Sequence, residues 1–256
     1  MRIGSVPYLN AKPLVWGLNP EMVTYEVPSK LASMLKDGEL AAGMVSSVAY
    51  FLNPDLKIAP GMSVSCVGPA ESVKLFHKGD IQSIKSVALD TSSLTSVLLA
   101  KVILKERYGL SPKFVNLPPI LDLMLAICDG AVTIGDNTMQ APQGKWAELD
   151  LGSEWHELTE LPFVFAVWAV NPQLAEPGLV EMLQASKAHG LKSLEEISES
   201  EARRLSLPCE TCYHYLGEIM SYDLTDLHLE AMNLFREKAK EHGFISGDHA
   251  LELYHV

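Results

Sequence analysis

The sequence predicts an α/β protein of two lobes with a ligand cleft between them, and three observations carry that reading. Strand-then-helix units open the chain, the pattern restarts after a polar stretch at residues 77–86, and a long β-branched and aromatic run, Phe163 to Val170, is followed by helical periodicity alone. With 256 residues and 48% hydrophobic content, and a mean hydropathy of +0.12, the chain has ample material for a packed core. A composition break flanks each crossover, which sets one lobe at residues 1–82 plus 168–256 and the other at residues 83–167.

The elements follow in order. Arg2-Ile3-Gly4-Ser5-Val6 reads as the first strand, and Pro7 and the polar turn Tyr8-Leu9-Asn10 follow it at once. In open α/β sheets ligands bind outside the carboxyl ends of strands, so this turn is placed to touch one. Ser29 reads as an N-cap, with Leu31, Met34 and Leu35 at helical spacing and Gly38 as the stop. Ala42-Gly43-Met44-Val45 is a short buried strand that runs into Ser46-Ser47 and an apolar helix start at Val48. Residues 62–67 and 72–76 cluster as strands around the turn Gly68-Pro69.

The second set begins with the strand Val87 to Asp90, a cap-rich Thr91-Ser92-Ser93, and an apolar helix from Leu94 to Arg107 closed by Gly109. Lys113 to Leu117 is strand-like, Pro118 to Cys128 is a helix with proline at its start, and Ala131 to Ile134 is a buried strand entering Gly135-Asp136-Asn137. Phe163 to Val170 is the central strand. Helices at 174–188, 194–205, 209–220 and 224–242 are separated by Gly190, Pro208 and Asp223.

The balance of 20 Lys+Arg against 32 Asp+Glu gives a formal charge of −12, which repels nucleic acid and anionic membrane surfaces, so neither is an expected partner. The chain has no run of transmembrane length and opens without an apolar segment of the length export needs; four cysteines in unrelated contexts fit a reducing, cytoplasmic setting. An acidic chain that binds a small anion must draw on backbone N–H groups, hydroxyls and helix N-termini.

Three loops offer those donors: Tyr8-Leu9-Asn10, Ser46-Ser47, and Thr91-Ser92-Ser93-Leu94-Thr95-Ser96. N-capping alone explains any single serine among them, whereas three such loops at strand ends point to a small anion. Ile134, Gly135 and Asp136 form a fourth loop, and Ser65, in the strand at 62–67, joins the substrate-binding candidates. Asp90 and Asp136 are open both as a general acid/base pair and as carboxylates that cap the next turn. Cys209-Glu210-Thr211-Cys212 has half-site spacing without a second Cys/His pair, and His242, His249 and His255 lack the spacing of a helical metal site, so no metal is expected. Dinucleotide, P-loop and nucleophile-elbow glycine patterns are absent.

Ser5 to Leu14, Val45 to Tyr50, Leu89 to Ser96, Ile134-Gly135-Asp136, and the run from Asp150-Leu151-Gly152 to Trp168, in matching order over residues 2–170, resemble the MqnA family of menaquinone biosynthesis. The resemblance implies a two-lobed fold like that of periplasmic binding proteins of the second type. It also implies a cytoplasmic chorismate dehydratase of the futalosine route that makes 3-[(1-carboxyvinyl)oxy]benzoate without cofactor or metal. It makes Asn10 the catalytic residue and has Ser46-Ser47 and Thr95-Ser96 hold the substrate carboxylates. A carboxamide is no general base, so the ring proton falls to the enolpyruvyl carboxylate of chorismate, to Asp90 or to Asp136. The sister family, 1,4-dihydroxy-6-naphthoate synthase, is expected to carry a histidine after the strand at 131–134, where this chain has Gly135. A non-catalytic solute receptor and a ligand-sensing regulatory domain are the competing readings.

Overall fold

Two mixed sheets frame the molecule in the computed structural model, which describes residues 1–142, 144–246 and 249–255. The elements are β1 (Ile3–Ser5), α1 (Lys12–Val15), β2 (Val23–Tyr25), α2 (Pro28–Lys36), β3 (Ala42–Ser46), α3 (Ser47–Phe51), β4 (Lys57–Cys66), β5 (Val73–His77), β6 (Ser86–Asp90), α4 (Thr95–Glu106) and β7 (Lys113–Leu117). They continue as α5 (Leu121–Ile127), β8 (Gly130–Ile134), α6 (Gly135–Met139), β9 (Ala147–Asp150), α7 (Leu151–Thr159), β10 (Phe163–Val170), α8 (Leu179–Lys192), α9 (Leu194–Leu205), α10 (Cys209–His214), β11 (Met220–Ser221) and α11 (Asp226–Glu241).

The first sheet has six strands in the order β11-β4-β10-β3-β1-β2, and the second has five in the order β7-β6-β8-β5-β9. β1 runs parallel to β2 and β3, while β10 returns antiparallel between β3 and β4. Both β3 and β10 are apolar and buried along almost their whole length, which is why their sequences read as continuous hydrophobic runs rather than alternations. Among the described residues no helix is long and apolar enough to cross a membrane.

Sheet membership changes at different points from the expected lobe boundaries at 82/83 and 167/168. Val73–His77 belongs to the second sheet, pairing with β8 on one side and β9 on the other, and all of Phe163–Val170 belongs to the first. The chain therefore crosses at residues 67–72 and returns at 160–162. The polar stretch at 77–86 is a surface turn inside the second lobe, containing a short 3₁₀ segment at Ile81–Ser83. A polar break marks a loop, but only cross-strand pairing says which sheet a strand joins. The last residue of the expected first lobe, 256, lies outside the described residues.

Other expectations shift as well. α2 starts at Pro28 with Val27 as its cap, and the cap makes no side-chain hydrogen bond, so Ser29 lies inside the helix: proline's fixed φ supplies the first helical turn. Residues 135–139, expected as loop, are the short helix α6, and the helix expected over 209–220 breaks into α10, a π-turn at Tyr215–Ile219 and β11.

Two packing features fix the walls of the cleft. Trp155 of α7, Phe163 of β10 and Phe235 of α11 stack edge-on at centroid distances of 4.9 to 5.7 Å, tying the second lobe's return segment to the first sheet. α8 lies against α1 so closely that a Cβ on Gly190 would sit 2.0 Å from the Pro13 carbonyl oxygen. There the Ser186 hydroxyl donates to the Leu14 carbonyl and accepts from the Gly17 amide, holding the segment just after the Asn10 turn.

Candidate functional site

The carboxyl ends of β1, β3, β6 and β8 converge on a cleft that opens to solvent. Its floor is apolar: Val6, Met44, Val64, Val73, Phe165 and Ala166. Its polar groups are Tyr8, Asn10, Ser46, Ser93, Thr95 and Ser96, and none of its lining residues is Lys, Arg, Asp or Glu. Ile134 and Gly135 complete the second-lobe side. Gly135 has φ +60, a left-handed backbone that disfavours other residues, and a Cβ there would meet the Tyr8 ring at 3.7 Å.

Asn10 lies half-buried on a 3₁₀ turn at Leu9–Ala11. The turn is clamped from the second lobe, because the Leu9 amide donates to Asp136 Oδ1 at 3.1 Å. Asp136 Oδ2 in turn accepts from Arg204 at 2.8 Å, and Arg204 also pairs with Glu201, which pairs with Lys12 at 3.1 Å. A chain of charges thus connects α6, α9 and α1 around the turn. On its other side the turn packs on the π-turn that begins at Tyr215.

Two helix starts face Asn10. Ser46 caps α3, its hydroxyl accepting from the Ala49 amide at 3.3 Å, and it lines the cleft. Thr95 begins α4, and its hydroxyl accepts from the Val48 amide of α3 at 2.9 Å, a hydrogen bond from one lobe to the other. The Ser93 and Ser96 side chains are buried on the same wall.

The remaining predicted positions divide. Ser47 is fully buried and donates to the Val164 carbonyl at 2.6 Å, so its hydroxyl fastens α3 to β10 instead of lining the cleft. Ser65 turns away from it: Val64 faces the cleft, and by strand alternation Ser65 points to the opposite side, where it donates to the Ser221 carbonyl of β11. Thr91 is exposed outside the lining. Ser92 donates to Asp90 Oδ1 from both its amide (2.8 Å) and its hydroxyl (2.6 Å). Asp136 holds the turn from outside the lining residues.

Burial raises the Asp90 carboxyl above its ordinary pKa, against the opposing hydrogen bonds of Ser92, and leaves its Oδ2 without a partner. Burial also raises the Tyr8 phenol, with the nearby charges of Asp90 and Asp136 pushing the same way and the Ser92 hydrogen bond opposing. Among the described residues no group of three or more His, Cys, Asp or Glu side chains could hold a metal ion. Cys212 is buried and Cys209 exposed on α10, and His242 pairs with Glu106 far from the cleft.

Sequence reading passed over the apolar floor and Tyr215. The floor residues carry only a strand signal, and which of two alternating faces meets a ligand is decided by the second sheet. Tyr215 sat within what reads as one amphipathic helix, with nothing to mark the π-turn that begins there.

A family model described as "Menaquinone biosynthesis" matches residues 1–241. The chain is 37% identical over 235 residues to a chorismate dehydratase of Thermus thermophilus, covering 84% of this chain and 86% of that protein. Among solved structures, a structural-genomics protein of Archaeoglobus fulgidus superposes with a TM-score of 0.76 at 17% identity, covering 95% of this chain and 98% of that one. The alkanesulfonate-binding protein SsuA of Xanthomonas axonopodis superposes at 0.71 and 14% identity, covering 98% and 95%. The fold is thus that of the periplasmic binding proteins, as the sequence implies, and the family match with the 37% relative establishes that this chain belongs to the menaquinone-biosynthesis family.

Proposed function

We propose that the chain is a chorismate dehydratase, a cytoplasmic carbon-oxygen lyase that converts chorismate to 3-[(1-carboxyvinyl)oxy]benzoate and water in the futalosine route to menaquinone. The name of the Thermus relative and the family match support the activity. The observation that carries it to this cleft is the pairing of Asn10 with two hydroxyl-bearing helix starts above an apolar floor, with no charged side chain among the lining residues. Chorismate is a small dianion with an apolar ring, and hydroxyl and backbone donors at helix starts suit its carboxylates, while the valines and Phe165 suit the ring.

The reaction removes a proton from the ring carbon that bears the enolpyruvyl ether and the hydroxyl from its neighbour. The C–H electron pair becomes the new π bond, the ring becomes aromatic, and the departing hydroxyl takes up a proton, equivalent to the one removed and carried by the base, to leave as water. Aromatisation supplies the driving force, so the protein's task is chiefly geometry. Asn10 donates to or orients the departing hydroxyl; a neutral carboxamide cannot take the proton. Asp136 is poorly suited to do so, since both of its oxygens are engaged by Leu9 and Arg204. Asp90 is set back behind Ser92. The enolpyruvyl carboxylate of the substrate itself is therefore the base in this reading.

Incubation of the purified protein with chorismate tests it: a substituted-benzoate absorbance grows in as chorismate disappears. A thermal shift with chorismate and no conversion would make the protein a receptor instead.

A further inference from the structure

We propose that Cys209 and Cys212 form a reversible dithiol site on the first turn of α10, which small disulfides oxidise and which lowers turnover in the cleft when closed. The site stands apart from the chorismate reading; only its effect on turnover rests on that reading.

Cys209-Glu210-Thr211-Cys212 has the spacing of a dithiol redox pair. Both residues lie on one helical turn, where the Cys212 amide donates to the Pro208 carbonyl at 3.2 Å. Three residues apart on an α-helix, their Cα atoms are about 5 Å from each other, within the span of a disulfide. Exposure divides them into an attacking and a resolving thiol: Cys209 is exposed, whereas Cys212 is 0% exposed in the main core. The other two cysteines, Cys66 on β4 and Cys128 after α5, are buried.

The exchange balances without a further reagent. The Cys209 thiolate attacks one sulfur of a small disulfide, forms a mixed disulfide, and expels a thiolate that takes up the proton Cys209 gave away. Cys212 then loses its proton and attacks the Cys209 sulfur, and the second small thiol leaves with that proton. Two protein thiols are oxidised and one small disulfide is reduced to two thiols. Burial raises the Cys212 thiol, and Cys209 pushes the same way, so closure is slower than the first attack.

Closure also moves the backbone. Cβ atoms three apart on a helix are about 5–6 Å from each other, and a disulfide holds them at about 3.5–4.5 Å, so the first turn of α10 must draw in. α10 packs along α9, the helix that carries Glu201 and Arg204, and leads directly into the π-turn on which the Asn10 turn rests. Both supports of the Asn10 turn, the Arg204–Asp136 clamp and the π-turn, therefore feel the bond.

Oxidised glutathione is the probe, added to the whole chain at neutral pH. The intact mass falls by two hydrogens with no glutathione retained, and peptide mapping places the bond between Cys209 and Cys212. Chorismate turnover falls at least about tenfold through misplacement of the Asn10 turn, and dithiothreitol restores it. Cys209→Ser has parent turnover and keeps it under the same treatment, while Cys212→Ala traps one glutathione on Cys209. If Cys212→Ala fails to fold, Cys209→Ser decides. A lasting glutathione adduct on the parent, no reaction at Cys209, or a bond from either residue to Cys66 or Cys128 overturns the site. A Cys209–Cys212 bond with parent turnover overturns its coupling to the cleft. A parent protein that never converts chorismate removes the chorismate reading alone. Mass and mapping then still decide the site, and the ¹⁵N signals of the Asn10 side-chain amide, identified by their loss in Asn10→Asp, decide the coupling by whether they shift on oxidation.

Discussion

Asp90 and Asp136 are the same residue at the same kind of place, the carboxyl end of a second-sheet strand beside the cleft, yet they are opposite in state. Asp136 is partly exposed, accepts the Leu9 amide with one oxygen and pairs with Arg204 through the other. Asp90 is 1% exposed, has one oxygen on Ser92 and the other on nothing, and burial pushes its pKa up. A strand-end aspartate is thus a clamp or a buried, half-partnered carboxyl according to what the rest of the fold brings to it. At Asp136 the decisive partner, Arg204, comes from α9, 68 residues further on.

The largest effect is expected from Asp136→Ala, which strands both the Leu9 amide and Arg204. It costs about 2–4 kcal/mol in urea titration and lowers kcat at least about 100-fold by releasing the Asn10 turn. Turnover at the parent rate would show that the clamp does not hold the turn. Arg204→Met is milder, about 1–2 kcal/mol, because the guanidinium is 42% exposed and solvent screens part of the pair. Asp136→Asn keeps an acceptor for Leu9 and loses only the charge, so about 1 kcal/mol and a less than about tenfold change in kcat are expected.

Asp90→Asn has the smallest effect, with stability within about 1 kcal/mol and turnover within about tenfold. A variant that binds chorismate but loses all turnover would instead make Asp90 the base. The pH trend sharpens the contrast. A carboxyl whose folded pKa is raised holds its proton more tightly when folded, so it adds stability below the ordinary carboxyl range and loses that contribution as pH rises through the raised value. The stability of the parent relative to Asp90→Asn therefore declines on going from acid toward neutral pH, measured as the difference between their thermal midpoints.

Much of this was legible in the chain. The strand-to-helix junctions at Ser46 and Thr95 were readable because a hydroxyl residue between an apolar run and a helical period has few other uses, and Ser46 does cap α3. The Tyr8-Leu9-Asn10 turn was readable from its place after β1. What could not be read was direction. Ser47, adjacent to Ser46, faces β10, and Ser65, adjacent to the lining Val64, faces β11. Each outcome depends on a strand far away in sequence. The sheet assignment of Val73–His77 failed for the same reason, since an apolar pentapeptide carries no mark of its pairing partner.

One feature of the hydroxyls bears on ligand choice. Ser46 and Thr95 each spend acceptor capacity on a backbone amide, Ala49 in one case and Val48 across the lobes in the other. Their protons are thereby left for whatever enters. On the proposed reading the cleft is expected to select by hydrogen-bond polarity in place of formal charge: each hydroxyl keeps its proton for an oxyanion, and an analogue presenting amino groups at the same points finds only one remaining lone pair on each. Because no fixed cation is involved among the lining residues, that preference should survive at ionic strengths that would screen a binding site built of arginines and lysines.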